Sequence, residues 1–131
     1  MQAGLRARLL ADADLRVAIL HGFLRQESRA NLLPAQGTIA EGMGDLVVLA
    51  LAADLDRVLV SHDLRSMPEH FYRFVASRES PGLILIRQRM PTGAAIEELR
   101  LVWMRLDVGD FRNQITYLPL TYSRRRSLEA F

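Results

Sequence analysis

Residues Arg57 to Asp63 read R-V-L-V-S-H-D, and this stretch decides the fold class. The aliphatic run from Val58 to Val60 predicts a short buried strand. It is followed at once by the polar residues Ser61, His62 and Asp63. In a parallel α/β sheet, ligands bind in the crevice outside the carboxyl ends of the strands. A strand that ends in His-Asp therefore places reactive side chains at that crevice.

Four further segments predict strands, and apolar residues at helical spacing predict a helix in each interval. The predicted strands are Leu5 to Ala11, Asn31 to Ala35, Arg57 to Ser61, Leu83 to Ile86 and Gln114 to Leu118. This alternation predicts an α/β fold in residues 1–120, with a central, mostly parallel sheet of about five strands and helices on both faces. Pro34 cannot donate to a sheet ladder and so favours a sheet edge for the second strand. Residues 121–131 form an arginine-rich C-terminal tail.

Local signals predict where the helices begin. Asp14 and Asp45 stand where helix N-caps are expected. The segment Ser66 to Glu69 matches a capping box with proline in the first turn. The helix from Leu46 to Leu55 is almost wholly apolar, and we expect it to be buried on most sides. Trp103 belongs to the inward stripe of the last long helix and is expected in the core.

Composition narrows the classes of function. The 131 residues suit one domain, and the absence of cysteine excludes disulfides and thiolate metal sites. All 17 basic residues are arginine, so Schiff-base and P-loop lysine chemistry are excluded. The formal charge of only +2 means that polyanion binding would need local arginine clusters. No apolar run is long enough for a membrane helix, and we expect a cytoplasmic protein without membrane contact.

Aspartates follow two of the predicted strands. Asp12 follows the first strand and Asp63 the third, so a doubly wound sheet of order 2-1-3-4 would bring both to one crevice. Asp14 would line its rim, and Asp45 would reach it if the preceding loop folds back. Clustered carboxylates repel one another, and a divalent cation with a preference for oxygen ligands, Mg²⁺ or Mn²⁺, removes that penalty. Such an ion can generate a hydroxide nucleophile for phosphodiester hydrolysis.

The chain resembles small prokaryotic PIN-like domain proteins over nearly its whole length. The strings that carry the resemblance are L-L-A-D-A-D-L-R (9–16), G-D-L-V-V-L-A-L-A (44–52), R-V-L-V-S-H-D (57–63), S-P-G-L-I-L-I (80–86) and Y-L-P-L (117–120). The resemblance implies a Mg²⁺- or Mn²⁺-dependent ribonuclease, often the toxin of a toxin–antitoxin pair. It matches Asp12, Asp45 and Asp63 to the family's catalytic, metal-binding acids.

The favoured interpretation is therefore a metal-dependent endoribonuclease. Asp12, Asp45 and Asp63 would be the catalytic residues and metal ligands, and Asp14 an auxiliary acid. His62 is a candidate proton shuttle or metal ligand. The alternative is that it packs and forms hydrogen bonds at the end of the strand. Arg16 and Arg65 are candidate phosphate contacts. RNA, an antitoxin-like protein and a second copy of the chain are the candidate partners.

Two alternatives stay open. The family's glutamate on a helix after the second strand has only Glu41 as a poor substitute, and Ser66 lies where many relatives carry a second aspartate. The chain could therefore be a catalytically degenerate PIN-like module that binds protein. Acids after the first and third strands also describe receiver-like phosphoacceptors, but these need a lysine after the fifth strand and the chain has none.

Overall fold

Strands and helices alternate along the chain in the computed structural model, which describes residues 6–34 and 44–120. The strands are β1 (Leu9–Ala11), β2 (Leu32–Pro34), β3 (Val58–Ser61), β4 (Leu83–Ile86) and β5 (Ile115–Leu118). The helices are α1 (Val17–Gln26), α2 (Asp45–Asp54), α3 (Met67–Ser77), α4 (Thr92–Arg105) and the short α5 (Val108–Phe111). Apart from α5, which the sequence patterns did not predict, this is the expected order of elements.

The five strands form one sheet in the order β2-β1-β3-β4-β5, and every neighbouring pair is parallel. The predicted α/β fold with a parallel sheet is therefore confirmed, and β2 with Pro34 lies at an edge as expected. Ala11 is in register with Val60 on one side and with Pro34 on the other. The carboxyl ends of β1 and β3 are thus adjacent, which is the topological switch point where doubly wound sheets bind ligands.

The hydrophobic core lies on both faces of the sheet. Successive strand residues point to opposite faces, so each strand contributes to two clusters. One cluster joins the sheet to α1 and α4 and includes Leu9, Val60, Ile84, Ile19, Phe23, Leu99 and Trp103. The other joins it to α2 and α3 and includes Leu10, Leu59, Leu85, Leu49 and Phe71. Trp103 is in the core as predicted, with its Nε1 donating to the Ala7 carbonyl at 3.1 Å.

Helix α2 is less buried than its composition predicts. Val48, Leu49 and Ala52 form its buried stripe. Leu46 and Val47 are instead 47% and 50% exposed. The expectation of burial on most sides was wrong because the helix packs on the sheet and α3 through one side only, so its first turn leaves apolar side chains in solvent.

The helix starts also differ from the predicted caps. Gly44, not Asp45, is the N-cap of α2, and Arg16, not Asp14, is the N-cap of α1. Ser66 is the N-cap residue of α3, but its side chain makes no capping hydrogen bond. The predicted N-cap position of Ser66 and the proline in the first turn of α3 are thus confirmed. The predicted side-chain caps were wrong because the oxygens of Asp14, Asp45 and Ser66 are engaged at the carboxyl end of the sheet. The first strand is also shorter than expected, since it begins at Leu9.

Several predictions concern residues outside the described ranges. They are the loop with Glu41, the ends of the first two predicted strands at Leu5 and Ala35, and the tail with Arg124, Arg125 and Arg126. Among the residues that the structure does describe, no helix is long and apolar enough to span a membrane.

Candidate functional site

Asp12 and Asp14 are placed by the connection from β1 to α1. The backbone N–H of Asp12 donates to the Val60 carbonyl at 2.8 Å, which extends the pairing of β1 with β3 by one residue. The Asp14 carboxylate faces the end of β3, where the buried hydroxyl of Ser61 lies 3.4 Å from both of its oxygens. The same hydroxyl also interacts with the Asp12 carboxylate. Ser61 therefore joins the two acids of this loop to the end of β3.

Asp45 and Asp63 meet at a second serine. The Ser66 hydroxyl lies 2.9 Å from Oδ2 of Asp45 and 2.5 Å from Oδ2 of Asp63. Asp45 reaches this point because α2 runs antiparallel to β3, so the start of α2 lies at the carboxyl end of the sheet. A serine hydroxyl has one hydrogen to donate. It can satisfy only one of the two carboxylates at a time, and the other carboxylate is left without that proton.

The environment of Asp63 favours its ionised form. Its Oδ1 accepts the backbone N–H groups of Arg65 and Ser66 at 3.1 and 3.0 Å. Burial by itself would raise the pKa of Asp63, but hydrogen bonds from Ser66, Arg65 and Met67 outweigh it and hold this pKa below its ordinary value. Asp63 thus orders the turn between β3 and α3 while it lies beside the other acids.

The pKa values of Asp12 and Asp14 are shifted in the opposite direction to that of Asp63. Burial raises the pKa of Asp12, and the negative charges of Asp14 and Asp45 raise it further. Burial is also the main cause of the raised pKa of Asp14, to which the charge of Asp63 contributes. Hydrogen bonds from neighbouring groups oppose these effects without cancelling them. Four carboxylates from four positions in the chain are therefore electrostatically linked at one end of the sheet.

His62 is buried and uses both ring nitrogens. Its Nδ1 lies 3.0 Å from the carbonyl of Ile86, and its Nε2 accepts the backbone N–H of Arg16 at 3.3 Å. A carbonyl can only accept and a backbone N–H can only donate, so in this geometry Nδ1 is the donor and Nε2 the acceptor. The ring ties the loop after β1 to the ends of β3 and β4. This geometry favours the packing interpretation of His62, because both nitrogens are already engaged by the backbone.

A cleft of about 410 Å³ opens beside the acids. It is lined by Asp14, His62, Asp63, Leu64, Arg65, Arg87, Gln88 and Arg89. Arg65, a predicted phosphate contact, therefore lies at the cleft. Arg16 does not line it, since its guanidinium donates to the Met90 carbonyl at 2.5 Å and approaches Thr92 Oγ1 at 3.3 Å.

The carboxylate oxygens of the aspartates are ligands that suit a hard cation, but they do not surround a single point. Within residues 6–34 and 44–120, no group of three or more acidic or histidine side chains is arranged to hold a metal ion. Mg²⁺, however, commonly keeps several waters and binds through one or two carboxylates together with substrate phosphate. The two oxygens that share Ser66 fit such an ion, because a cation would offset the charge that one hydroxyl hydrogen cannot. Asp12, Asp45 and Asp63 as its shared ligands stay a prediction.

The structure adds residues that the sequence analysis did not select. Ser61 and Ser66 connect the four aspartates, and His70 Nε2 lies 3.6 Å from Asp45 Oδ2. Ser66 and His70 are four residues apart at the start of α3, a spacing that places them on one helix face. Arg87 and Arg89 directly follow β4. The run R-Q-R at the end of a predicted strand was the available signal for these two arginines.

Comparison of the chain with protein-family models, with curated proteins and with solved structures finds no match in any of the three.

Proposed function

We propose that this protein is a metal-dependent phosphodiesterase that cleaves RNA, with the active site at the carboxyl ends of β1 and β3. The observation that carries the proposal is the convergence of four carboxylates at the carboxyl end of the sheet, those of Asp12, Asp14, Asp45 and Asp63. In the described part of the chain, none of these carboxylates is ion-paired to an arginine. Apart from the contact of His70 with Asp45, the repulsion among these carboxylates is thus left for a bound cation to relieve.

Each acid has a role in this proposal. Asp12, Asp45 and Asp63 hold the ion, and the turn that fixes Asp63 keeps its carboxylate ionised and oriented. A Mg²⁺ or Mn²⁺ ion held by these carboxylates would polarise the phosphoryl oxygen and make a nearby water more acidic. The Asp14 carboxylate lines the cleft and accepts a proton from the attacking water. As the water oxygen bonds to phosphorus, the bond from phosphorus to the leaving oxygen breaks, and that oxygen takes a proton from solvent.

Cleavage assays with purified variants test the proposal. Asp12→Asn and Asp63→Asn each should lower Mn²⁺-stimulated cleavage of a single-stranded RNA by at least about 100-fold, since even partners that only orient metal ligands are worth 10–100-fold. Asp54→Asn is a matched control, because Asp54 ends α2 and pairs with Arg78 away from the site. Equal cleavage by wild type and all three variants would assign the activity to a contaminant and refute the proposal.

Binding of the metal is tested separately by thermal unfolding. A ligand present at 100 times its Kd stabilises the folded state by about 2.7 kcal/mol. Titration with Mn²⁺ should therefore raise the Tm of the wild type and of Asp54→Asn. The rise should be lost in Asp12→Asn. The same rise in all three proteins would place the ion elsewhere and contradict the assigned site.

A second candidate function is a PIN-like module that binds protein and has no catalytic activity. The exposed apolar pair Leu46 and Val47 on α2 favours it, because apolar side chains beside one another in solvent are typical of contact surfaces. For this function we expect neither RNA cleavage nor stabilisation by Mn²⁺. The thermal titration therefore separates the two candidates.

A further inference from the structure

Three depressions near the carboxyl end of the sheet are neighbours that share lining residues. The cleft beside the acids shares Arg87 and Arg89 with a smaller pocket of about 240 Å³ that reaches Met90 and Pro119. On its other side it shares Leu64 and Arg65 with a groove of about 600 Å³ along α3. Asp14 and Asp63, which line the central cleft, thus lie within a longer trough, whereas Asp12 and Asp45 do not line it. A trough that runs past the reacting centre on both sides fits a chain-like substrate better than a small molecule held in one pocket.

Cations line the middle of this trough. Arg65, Arg87 and Arg89 are all exposed, and each contributes to the wall of the central cleft. Within residues 6–34 and 44–120, the side chains of Arg65 and Arg89 make no hydrogen bond or ion pair. The guanidinium groups of Arg65 and Arg89 therefore remain available to a ligand.

Asp14 and Asp63 do not neutralise Arg65 or Arg89 by contact. Asp63 lies in the same cleft as Arg65, but its Oδ1 accepts backbone N–H groups and its Oδ2 lies against Ser66. Asp14 is engaged by Ser61 and by the backbone of His62. The two signs of charge are thus kept apart within one cleft. Such a cleft suits a ligand that is anionic on one side and metal-bound on the other.

We propose that Arg65, Arg87 and Arg89 form a phosphate subsite that holds the phosphate next to the scissile one in a nucleic acid strand. The inference rests on the proposed function, because it places the reacting phosphate at the acids. Guanidinium groups suit this role, since they bind phosphate oxygens through paired, charge-assisted hydrogen bonds. The chain has a net charge of only +2, so attraction of an anionic strand depends on a local cluster of arginines such as this one. The protein would accordingly bind an oligonucleotide without metal and would act on strands rather than on single nucleotides.

The test measures binding apart from cleavage. Fluorescein-labelled hexauridylate is titrated with protein in EDTA, and its anisotropy reports binding. Arg87→Gln/Arg89→Gln should weaken binding by about tenfold for each arginine replaced, and Arg65→Gln alone by about tenfold. The slope of log affinity against log salt should fall by about 0.7 for each phosphate that is no longer neutralised. Arg29→Gln is the matched control, an exposed arginine before β2 at the other end of the sheet.

The outcomes separate this inference from the proposed function. If the arginine variants bind weakly while Arg29→Gln binds like wild type, the subsite is supported, even if no preparation cleaves RNA. If the wild type cleaves RNA in an Asp12-dependent manner but the arginine variants bind and cleave like Arg29→Gln, the subsite is overturned and the proposed function stands. Equal weakening in Arg29→Gln would show a nonspecific charge effect and would also overturn the subsite.

Discussion

The two ends of the sheet differ in how their polar and charged side chains are paired. At the amino ends of the strands, polar groups are paired with groups of complementary character. Arg57 Nη1 donates to the Leu9 carbonyl at 3.0 Å and to Asn31 Oδ1 at 2.8 Å. Ahead of β4 and β5, the Ser80 backbone N–H donates to Asn113 Oδ1 at 2.8 Å, and the Asn113 N–H donates back to the Ser80 carbonyl. These contacts favour the folded chain and oppose the burial of Arg57 and the nearby charge of Arg8, which together lower the pKa of Arg57.

At the carboxyl ends, like charges are brought together instead. Asp12 and Asp14 have raised pKa values because burial and neighbouring carboxylates disfavour their ionised forms. Natural proteins depart from locally favourable arrangements mainly at functional sites, where stability is given up for chemistry. We therefore assign function to the acids at the carboxyl end. Stabilisation of the fold is assigned to the contacts at the amino end and to the contacts of His62 and Asp63 that hold the acids in place. Four substitutions test this division, taken from the largest expected effect to the smallest.

The largest loss of stability is expected at the amino end, from Gly82→Ala. Gly82 has a φ of +125°, and an added Cβ would lie 2.3 Å from the backbone oxygen of Phe111. Because this backbone conformation strains any other residue and the clash is with backbone, we expect a loss of about 3 kcal/mol in the free energy of unfolding. Urea denaturation measures it.

Gly93→Ala is the matched control for this prediction. Gly93 lies in the first turn of α4, and an added Cβ would meet nothing within 4 Å. We expect that variant to be about 0.4 to 1 kcal/mol more stable than wild type. Similar stability of the two variants would contradict the tight contact between the start of β4 and α5.

The next largest effect concerns His62, which connects strand ends at the site. His62→Phe removes a donor and an acceptor from a buried position and leaves the Ile86 carbonyl and the Arg16 N–H without these partners. A buried unsatisfied group costs about 1 to 3 kcal/mol, so we expect a loss of about 2 kcal/mol by urea denaturation. His21→Phe is the control, because His21 is exposed on α1. Equal stability of both variants would show that the ring does not hold the site together.

A smaller effect is expected for Asp63→Ala, which removes the acceptor of two backbone N–H groups. We expect a loss of about 1 to 2 kcal/mol at pH 7. The pKa of Asp63 is lowered in the folded state, so its contribution is full above the ordinary value of 3.8 and is lost as pH falls through the folded value. Urea denaturation at pH 7 and about pH 2.5 should show the difference between variant and wild type shrinking in acid. If the difference in the free energy of unfolding were the same at both pH values, ionisation of Asp63 would not contribute to stability.

The smallest effect has the opposite sign. The pKa of Asp12 is raised in the folded state, so its favourable contribution exists below 3.8 and is lost as pH rises through the folded value. At pH 7 without metal, Asp12→Asn should therefore be about 0.5 to 1 kcal/mol more stable than wild type. At about pH 3.5 the gain should vanish. A loss of stability at pH 7 would show that the Asp12 carboxylate is favourable where it lies, and the contrast between the two ends would fail.

Most of the fold was accessible from the sequence because buried parallel strands are short aliphatic runs. Such runs, as in Leu83 to Ile86, leave little choice of structure between helical segments. The exposure of Leu46 and Val47 was not accessible, since a helix that is apolar all round has no periodicity to show which side faces the sheet. The short helix α5 was missed because four residues carry too little periodic signal, although its Asp107 capping box is visible once the structure is known.

The site was only partly predictable for a different reason. The position of Asp12 and Asp63 follows from strand order, which the alternation of elements restricts to a few choices. Asp14 was expected at the rim of the crevice and does line the cleft. Asp14 and Ser66 were also expected to cap helices with their side chains, because cap preference is a local signal that does not register a carboxylate or hydroxyl on another element. Arg87 and Arg89 became candidates only when the cleft placed them together with Asp14 and Asp63.

The brevity of β2 has a consequence for self-association. An unpaired outer strand is a template onto which another chain can add, and natural proteins shorten such strands or end them with proline to prevent this. β2 is three residues long and ends in Pro34, which lacks the N–H that an incoming strand would need. Continuation of the sheet from one copy of this protein into another is thereby blocked on that flank. Within residues 6–34 and 44–120, β5 is the other outer strand onto which a second copy could add.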